Sequence, residues 1–332
     1  AGLLLLPQLS VRLFAVVVAV YLTLLVTVEA VNAILYGRMR RWGAFFPAMA
    51  AAAGGTGLFV LIVFVPALRD AALRYTAALL LTVFGTGLVC DVLALTIRSR
   101  RVRRVLGSIR VALPDLMSLF LPQRTADVLP RAPLGPVPQQ GTEEFELLFQ
   151  TSAHGIGLVG HCELCFDGRT LTYGAYDPAH QRLLRTVGAG IVFSAPRESY
   201  LRWCIGTHHR RVISYSLRLP PAQAAQLRAE LERFRQTLSP WQPEALPEDC
   251  FAGRLRRLGG VRFWRVQRGP YATYFIPTIN CVSLTNELLE KTDIGRTVML
   301  GLKTPGAYLD LLEREYLAGN PAVTARRVYD RI

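Results

Sequence analysis

Lysine is nearly missing from this sequence: Lys291 and Lys303 are the only two among 38 basic residues, so the formal charge of +14 is an arginine charge. The motifs of several common hydrolytic chemistries are missing too. There is no phosphate-cradling glycine loop, no HExxH pattern and no GxSxG elbow. Their absence sets aside P-loop nucleotide hydrolysis, zincin-type proteolysis and the serine α/β-hydrolases. No segment repeats with inverted topology, which argues against a transporter assembled from two such halves. Polar residues are also scarce at the start of the chain. The sequence as a whole is 51% hydrophobic with a mean hydropathy of +0.28, too apolar for an ordinary soluble enzyme, and its 332 residues suffice for two units.

The apolar excess is concentrated in three stretches of about 20 residues or more, the length that spans a bilayer. They run from about Val11 to Leu35, from about Trp42 to Pro66 and from about Ala71 to Ile97. The first is too long, and too weakly preceded by positive charge, for a cleavable signal peptide, and it reads as a retained helix. Residues 1–131 hold 14 Arg against five acids, so +9 of the total +14 belongs to this half. Arg38, Arg40 and Arg41 follow the first stretch, and Arg98, Arg100, Arg101, Arg103 and Arg104 follow the third. With three spans both clusters fall on one side, which the positive-inside rule makes the cytoplasm. Glu29 with Asn32, and Asp91, lie at or near membrane depth; a snorkelling acid or a hydrogen bond between helices accounts for them better than an ion path does. The small-residue run AAAAGGTG in the second stretch suits close helix packing.

After the arginine cluster, VLGSIRVALPDLMSLFLP has the character of an interfacial amphipathic segment. Four prolines between Pro130 and Pro138 then make an extended linker. The predicted organisation is therefore transmembrane helices with a basic juxtamembrane segment over 1–110, an interfacial segment and Pro-rich linker over 111–140, and a soluble α+β domain over 141–332. Within that domain, HCELCF and RTLTYG read as strands joined by an Asp167-Gly168 turn, a favoured hairpin connection. A helix rich in Ala, Leu, Glu and Arg is predicted from Pro221 to about Leu238.

Two positions carry candidate chemistry. In FIPTINCVSLT an apolar strand-like run gives way to helical spacing at Cys281, placing a thiol at a helix N-terminus. The helix dipole and free N–H groups there favour a thiolate, so a lowered pKa and fast alkylation are expected. A buried structural cysteine is the competing reading. Of the five histidines, His161 opens an apolar strand directly after Gly160, a setting that gives a rigid base. His208 and His209, in THHRR, read as a solvated basic face, and His180 as a turn residue.

A Gly-His pair opening a strand, a following strand with Tyr and Asp, and a late Asn-Cys pair starting a helix resemble the circularly permuted NlpC-type thiol hydrolases of the papain-like superfamily, in which the His precedes the Cys. The resemblance covers about residues 145–295 and has no counterpart for the membrane half. It implies a papain-like α+β domain, a nucleophile at Cys281, a base at His161 and a third polar residue from the strand after the histidine. Thr170, Thr172, Tyr173, Tyr176 and Asp177 are available there, with Tyr173 and Asp177 the leading choices. The activity implied is cleavage or transfer at an acyl or amide bond of a membrane-proximal substrate: a lipid, a lipidated protein or a cell-wall peptide.

The alternative is a non-enzymatic membrane protein whose soluble domain binds a partner or a structural zinc. His161, Cys162 and Cys165 are closely spaced soft ligands, yet a strand sends Cys162 and Cys165 to opposite faces and no second cysteine pair completes a site. No cofactor or resident metal is expected. The arginine-rich stretch GRLRRLGGVRFWRVQRG suits a charged surface, or anionic headgroups of the bilayer, better than nucleic acid. With the domain on the reducing cytoplasmic side, disulfides are disfavoured.

Overall fold

The computed structural model describes residues 7–96, 121–129, 131–133, 144–151, 160–242, 247–248, 250–289 and 304–330. It divides into two compact units, Ala1–Cys90 and Asp91–Ile332.

The first unit is helical: α1 is Pro7–Arg38, α2 is Trp42–Phe64 and α3 is Pro66–Thr96. Proline at the first position of α3 suits a helix start and ends the helix before it. Two of the three are long and apolar enough to cross a membrane, Val11–Arg38 and Trp42–Phe64. Among the described residues, the expectation of three spans is thus corrected to two. The third helix carries Arg69, Asp70 and Arg74 in its opening turns, and many of its later side chains lie outside the described residues, that of Asp91 among them. Val18, Leu22, Ile62 and Leu73 form a buried cluster between the helices. The small-residue run does what such runs do: a Cβ on Gly55 would stand 2.9 Å from a Val26 methyl, so glycine lets α1 and α2 approach. Arg69 donates to the Ile62 and Val63 carbonyls at 2.7 and 3.0 Å, satisfying acceptors that the end of α2 leaves open. Glu29 accepts from Asn32 of its own helix at 3.3 Å.

The second unit is α+β, with an antiparallel sheet. Its elements are α4 (Leu121–Val128), β1 (Glu144–Thr151), β2 (His161–Phe166), β3 (Arg169–Gly174), β4 (Val187–Ala189), β5 (Ile191–Pro196), α5 (Arg197–Gly206) and β6 (Arg211–Arg218). There follow α6 (Pro221–Arg235), β7 (Leu238–Pro240), α7 (Phe251–Arg256), β8 (Arg262–Val266), β9 (Thr273–Phe275), α8 (Cys281–Leu289), α9 (Pro305–Leu317) and β10 (Val323–Tyr329). Eight strands join in the order β10-β6-β1-β2-β3-β5-β8-β7, and β4 pairs with β9 in a separate ribbon. The Asp167-Gly168 hairpin forms as predicted, with both residues at positive φ (48° and 70°), the twist that matches flanking strands. The predicted helix at Pro221 ends at Arg235, three residues early. The interfacial segment and most of the proline linker lie outside the described residues.

β1 is covered on both faces: Leu147, Leu148 and Phe149 are each fully buried. A continuous apolar run of this kind carries no period-2 signal, because neither face is wet. Its one buried acid, Glu146, is matched by Arg197 at the start of α5, which donates to both carboxylate oxygens, while Ser214 of β6 adds a bond at 3.0 Å. That pair ties β1, β6 and α5 together. Removing one partner of such a pair characteristically costs about 3–5 kcal/mol, since the other charge is left buried alone.

Candidate active site

The Cys281 end of the site is set by capping. Asn280 precedes α8, its side-chain oxygen accepting from the Ser283 N–H at 3.0 Å, while the Ser283 hydroxyl accepts from the Asn280 N–H at 2.8 Å. This is a reciprocal capping box with Ser in the position more often held by Glu. Cys281 is therefore the first helical residue, as its sequence pattern predicts. The approach to it is rigid. Tyr173 donates toward the carbonyls of Tyr271 and Thr273 at 3.0 and 3.2 Å, pinning β9 to β3. Gly190 is needed at the same place, since a Cβ there would lie 1.9 Å from the Tyr271 carbonyl oxygen.

The His161 end is set by Gly160, whose φ of +81° turns the chain into β2. A Cβ there would also stand 3.1 Å from the Gln150 carbonyl oxygen. α8 packs across β2, and the Cys281 sulfur accepts the backbone N–H of Cys162, the residue after His161, at 3.4 Å. Cys162 in turn reaches Thr285 of α8 at 4.0 Å. The thiol and the imidazole thus flank one peptide unit at the start of β2. Strand alternation puts Cys162 and Leu164 toward α8, and His161, Glu163 and Cys165 toward the other face. Among the described contacts the ring bonds to Tyr176 and the thiol to the Cys162 N–H; none joins ring and thiol directly.

Tyr176 is the residue that holds the histidine: its hydroxyl lies 3.2 Å from His161 Nε2. The same ring stacks on Phe251 at 5.2 Å, so its position is fixed by packing. The two leading sequence candidates for this role are engaged elsewhere. Tyr173 pins β9, and Asp177 caps the short turn Pro178–His180, accepting from His180 at 2.7 Å and from Arg265. Tyr176 follows the last residue of β3 by two positions, in an irregular stretch, so no strand period points to it.

Electrostatics differ from the sequence expectation. Burial pushes the Cys281 thiol up, to about 12, and the N–H groups of Cys162, Val282 and Cys281 itself pull it back only in part. The expected low pKa is overturned: desolvation in a site that is 4% exposed outweighs the helix N-terminus. Cys162, Cys165 and Cys204, buried without such a fan of donors, are raised further. Burial, with the Arg210 charge second, lowers His161 to about 3. The pair therefore rests as neutral thiol and neutral imidazole. His208 is no solvated residue either; it packs 4.2 Å from the Trp203 ring, and burial lowers it to about 4.

Beside His161 on the same face sits a carboxyl that sequence reasoning missed. Glu163 is 1% exposed and accepts on one oxygen from Tyr200, Gln150 and Thr172 at 2.6, 2.7 and 3.2 Å. Its other oxygen has no partner, and burial raises its pKa to about 7. Arg210 closes the network through Gln150 at 2.8 Å.

The five described cysteines are free, and among the described residues no three His, Cys, Asp or Glu side chains gather into a metal-holding group. Searches against protein-family models, curated proteins and solved structures return no match. The chemistry must be argued from the site itself.

Proposed function

We propose that this chain is a membrane-anchored thiol hydrolase or acyltransferase of papain-like, permuted NlpC type, acting on an acyl or amide bond of a substrate held at the bilayer: a lipid, a lipidated protein or a cell-wall peptide. The observation that carries the reading is the seating of Cys281, first residue of a capped helix, on the peptide N–H that follows His161. Cys281 is the nucleophile, His161 the base and Tyr176 the residue that orients the ring. Because both partners rest neutral, the thiol is deprotonated as it attacks. In the proposed step sulfur bonds to the carbonyl carbon, its proton passes to the His161 imidazole, whose ring must turn from the Tyr176 face to reach it, and the tetrahedral oxyanion is met by N–H groups of the first turn of α8. The imidazolium then returns the proton to the departing amine, alcohol or thiol, leaving an acyl thioester on Cys281. Water, or an acceptor amine, releases it by the reverse proton path. The five arginines just ahead of the domain, Arg98, Arg100, Arg101, Arg103 and Arg104, favour a cytoplasmic side for it.

One feature favours the buried-cysteine alternative, in which the domain binds a partner and catalyses nothing: the thiol is buried and protonated. Activity separates the two readings. In proteoliposomes carrying a long-chain acyl thioester, C281A and H161A are each expected to abolish release of the thiol product. Undiminished release by either variant overturns the assignment.

A further inference from the structure

The turn between the short 3₁₀ segment and β4 is built in an unusual way. Leu183, Leu184 and Arg185 follow one another at φ of 47°, 54° and 68°, three non-glycine residues in the left-handed region. Each such residue costs about 1–2 kcal/mol relative to ordinary backbone. The turn is nevertheless firmly closed. Arg182 and Val187 exchange backbone bonds at 2.8 and 3.2 Å, and Thr186 returns to the Leu183 carbonyl through both its N–H and its hydroxyl, at 3.1 and 2.6 Å. What this strained closure displays is two leucines to solvent, Leu183 at 60% and Leu184 at 94% exposure. The other strongly exposed large apolar side chains described in this unit, Val128 and Leu317, are well separated in sequence from each other and from this pair. Arg182 and Arg185 flank the leucines and are exposed as well.

We infer that the 182–186 turn is a membrane-insertion tip, its two leucines entering the acyl region of a leaflet and its two arginines resting on anionic headgroups. Three observations select this occupant over a protein partner. The chain carries two helices long and apolar enough to cross a membrane, and their insertion would keep a bilayer within reach of the domain. An apolar point framed by arginines matches the layering of a leaflet, where long basic side chains sit at headgroup level. The tip is also coupled to the candidate site. β4 pairs with β9, and the Ile276 N–H donates to the Thr186 carbonyl at 3.0 Å, five residues before Cys281. An inserted tip would hold the entrance to α8 at the lipid surface. The inference rests on the chain's membrane attachment and stands apart from the thiol chemistry.

The test uses the full chain reconstituted into vesicles of phosphatidylcholine with or without phosphatidylglycerol. An environment-sensitive fluorophore is placed on the L184C variant, wild type labelled in parallel supplies the background, and R235C on α6 serves as an exposed reference. In vesicles with phosphatidylglycerol, the label at 184 is expected to shift to the blue and to lose most of its emission to lipid-borne spin labels, while the reference is quenched by aqueous iodide. Adding R182E and R185E to the labelled variant is expected to return the signal to its level in pure phosphatidylcholine. A label at 184 that iodide reaches as freely as the reference, with no lipid-borne quenching above background, overturns the inference. So does lipid quenching that survives both charge reversals unchanged. Neither readout depends on turnover, so failure here is distinct from failure of the enzymatic assignment.

Discussion

At the scale of single residues, the site is governed by desolvation, and Glu163 shows it most plainly. An unfolded glutamate loses its proton near 4.5, whereas the buried one keeps it to about 7. Between those values the folded chain binds the extra proton, so this group's contribution to stability is complete below 4.5 and is lost as pH rises through 7. His161 runs the other way. Its folded value of about 3 means that its contribution is complete above 6.5 and is lost as pH falls toward 3. E163Q keeps an acceptor for Tyr200 and removes the titration. Measured by thermal unfolding of the full chain in detergent, the stability of E163Q relative to wild type is expected to rise between pH 5 and pH 8. The size of that gain is on the order of 3 kcal/mol. A constant difference across the window contradicts the raised pKa.

The residue scale also shows what the sequence could and could not tell. The helix start at Cys281 and the strand start at His161 announce themselves through neighbours: Asn280 before the helix, Gly160 before the strand. Tyr176 does not, because its approach to His161 depends on the bend after β3 and on stacking against Phe251, more than 70 positions away. The sign of the Cys281 shift was hidden for a similar reason. A helix N-terminus is a local feature, while the burial that outweighs it comes from β2 and from Tyr274, which packs close enough to interact with the thiol.

At the scale of elements, local chemistry was legible and long-range pairing was not. The Asp167-Gly168 hairpin and the helix starts at Pro221 and Cys281 rest on contacts within a few residues. β1 and β6, by contrast, pair across 60 positions or more; β1 is buried on both faces and lacks the alternation that marks a half-wet strand, while Ile213, Tyr215 and Leu217 of β6 alternate with serines that are buried as well. α9 and β10 likewise gain their place from the sheet edge they cover. The capping box of α8 is the element on which the site depends. N280A removes one side-chain acceptor from the helix start and should cost about 1 kcal/mol of stability. Because the same cap fixes where the Cys281 sulfur sits against the Cys162 N–H, turnover is expected to fall by a larger factor than stability alone explains. N280D, which keeps an acceptor, should restore most of it. Equal turnover in N280A and wild type would detach the cap from the site.

At the scale of the whole molecule, the two units answer different constraints. The helical unit holds two helices long and apolar enough to cross a membrane, and small residues let α1 and α2 approach. The α+β unit is packed around an antiparallel sheet. On the proposed cytoplasmic placement of the second unit, a fluorescent reporter fused after Ile332 is expected to mature in the cytoplasm and to escape labelling by impermeant reagents outside the cell. A reporter accessible from outside would reverse the topology and make a cell-wall peptide the favoured substrate.

The central claim is that Cys281, with His161, forms a covalent acyl intermediate. It is tested most directly by incubating the full chain in proteoliposomes with an alkyne-tagged long-chain acyl thioester, quenching in acid and mapping the tag by peptide mass spectrometry. The account predicts a hydroxylamine-labile acyl group on Cys281 in wild type, absent in H161A and reduced in Y176F. A correctly folded wild-type chain with no acyl group on Cys281, or one acylated to the same extent without His161, would contradict it.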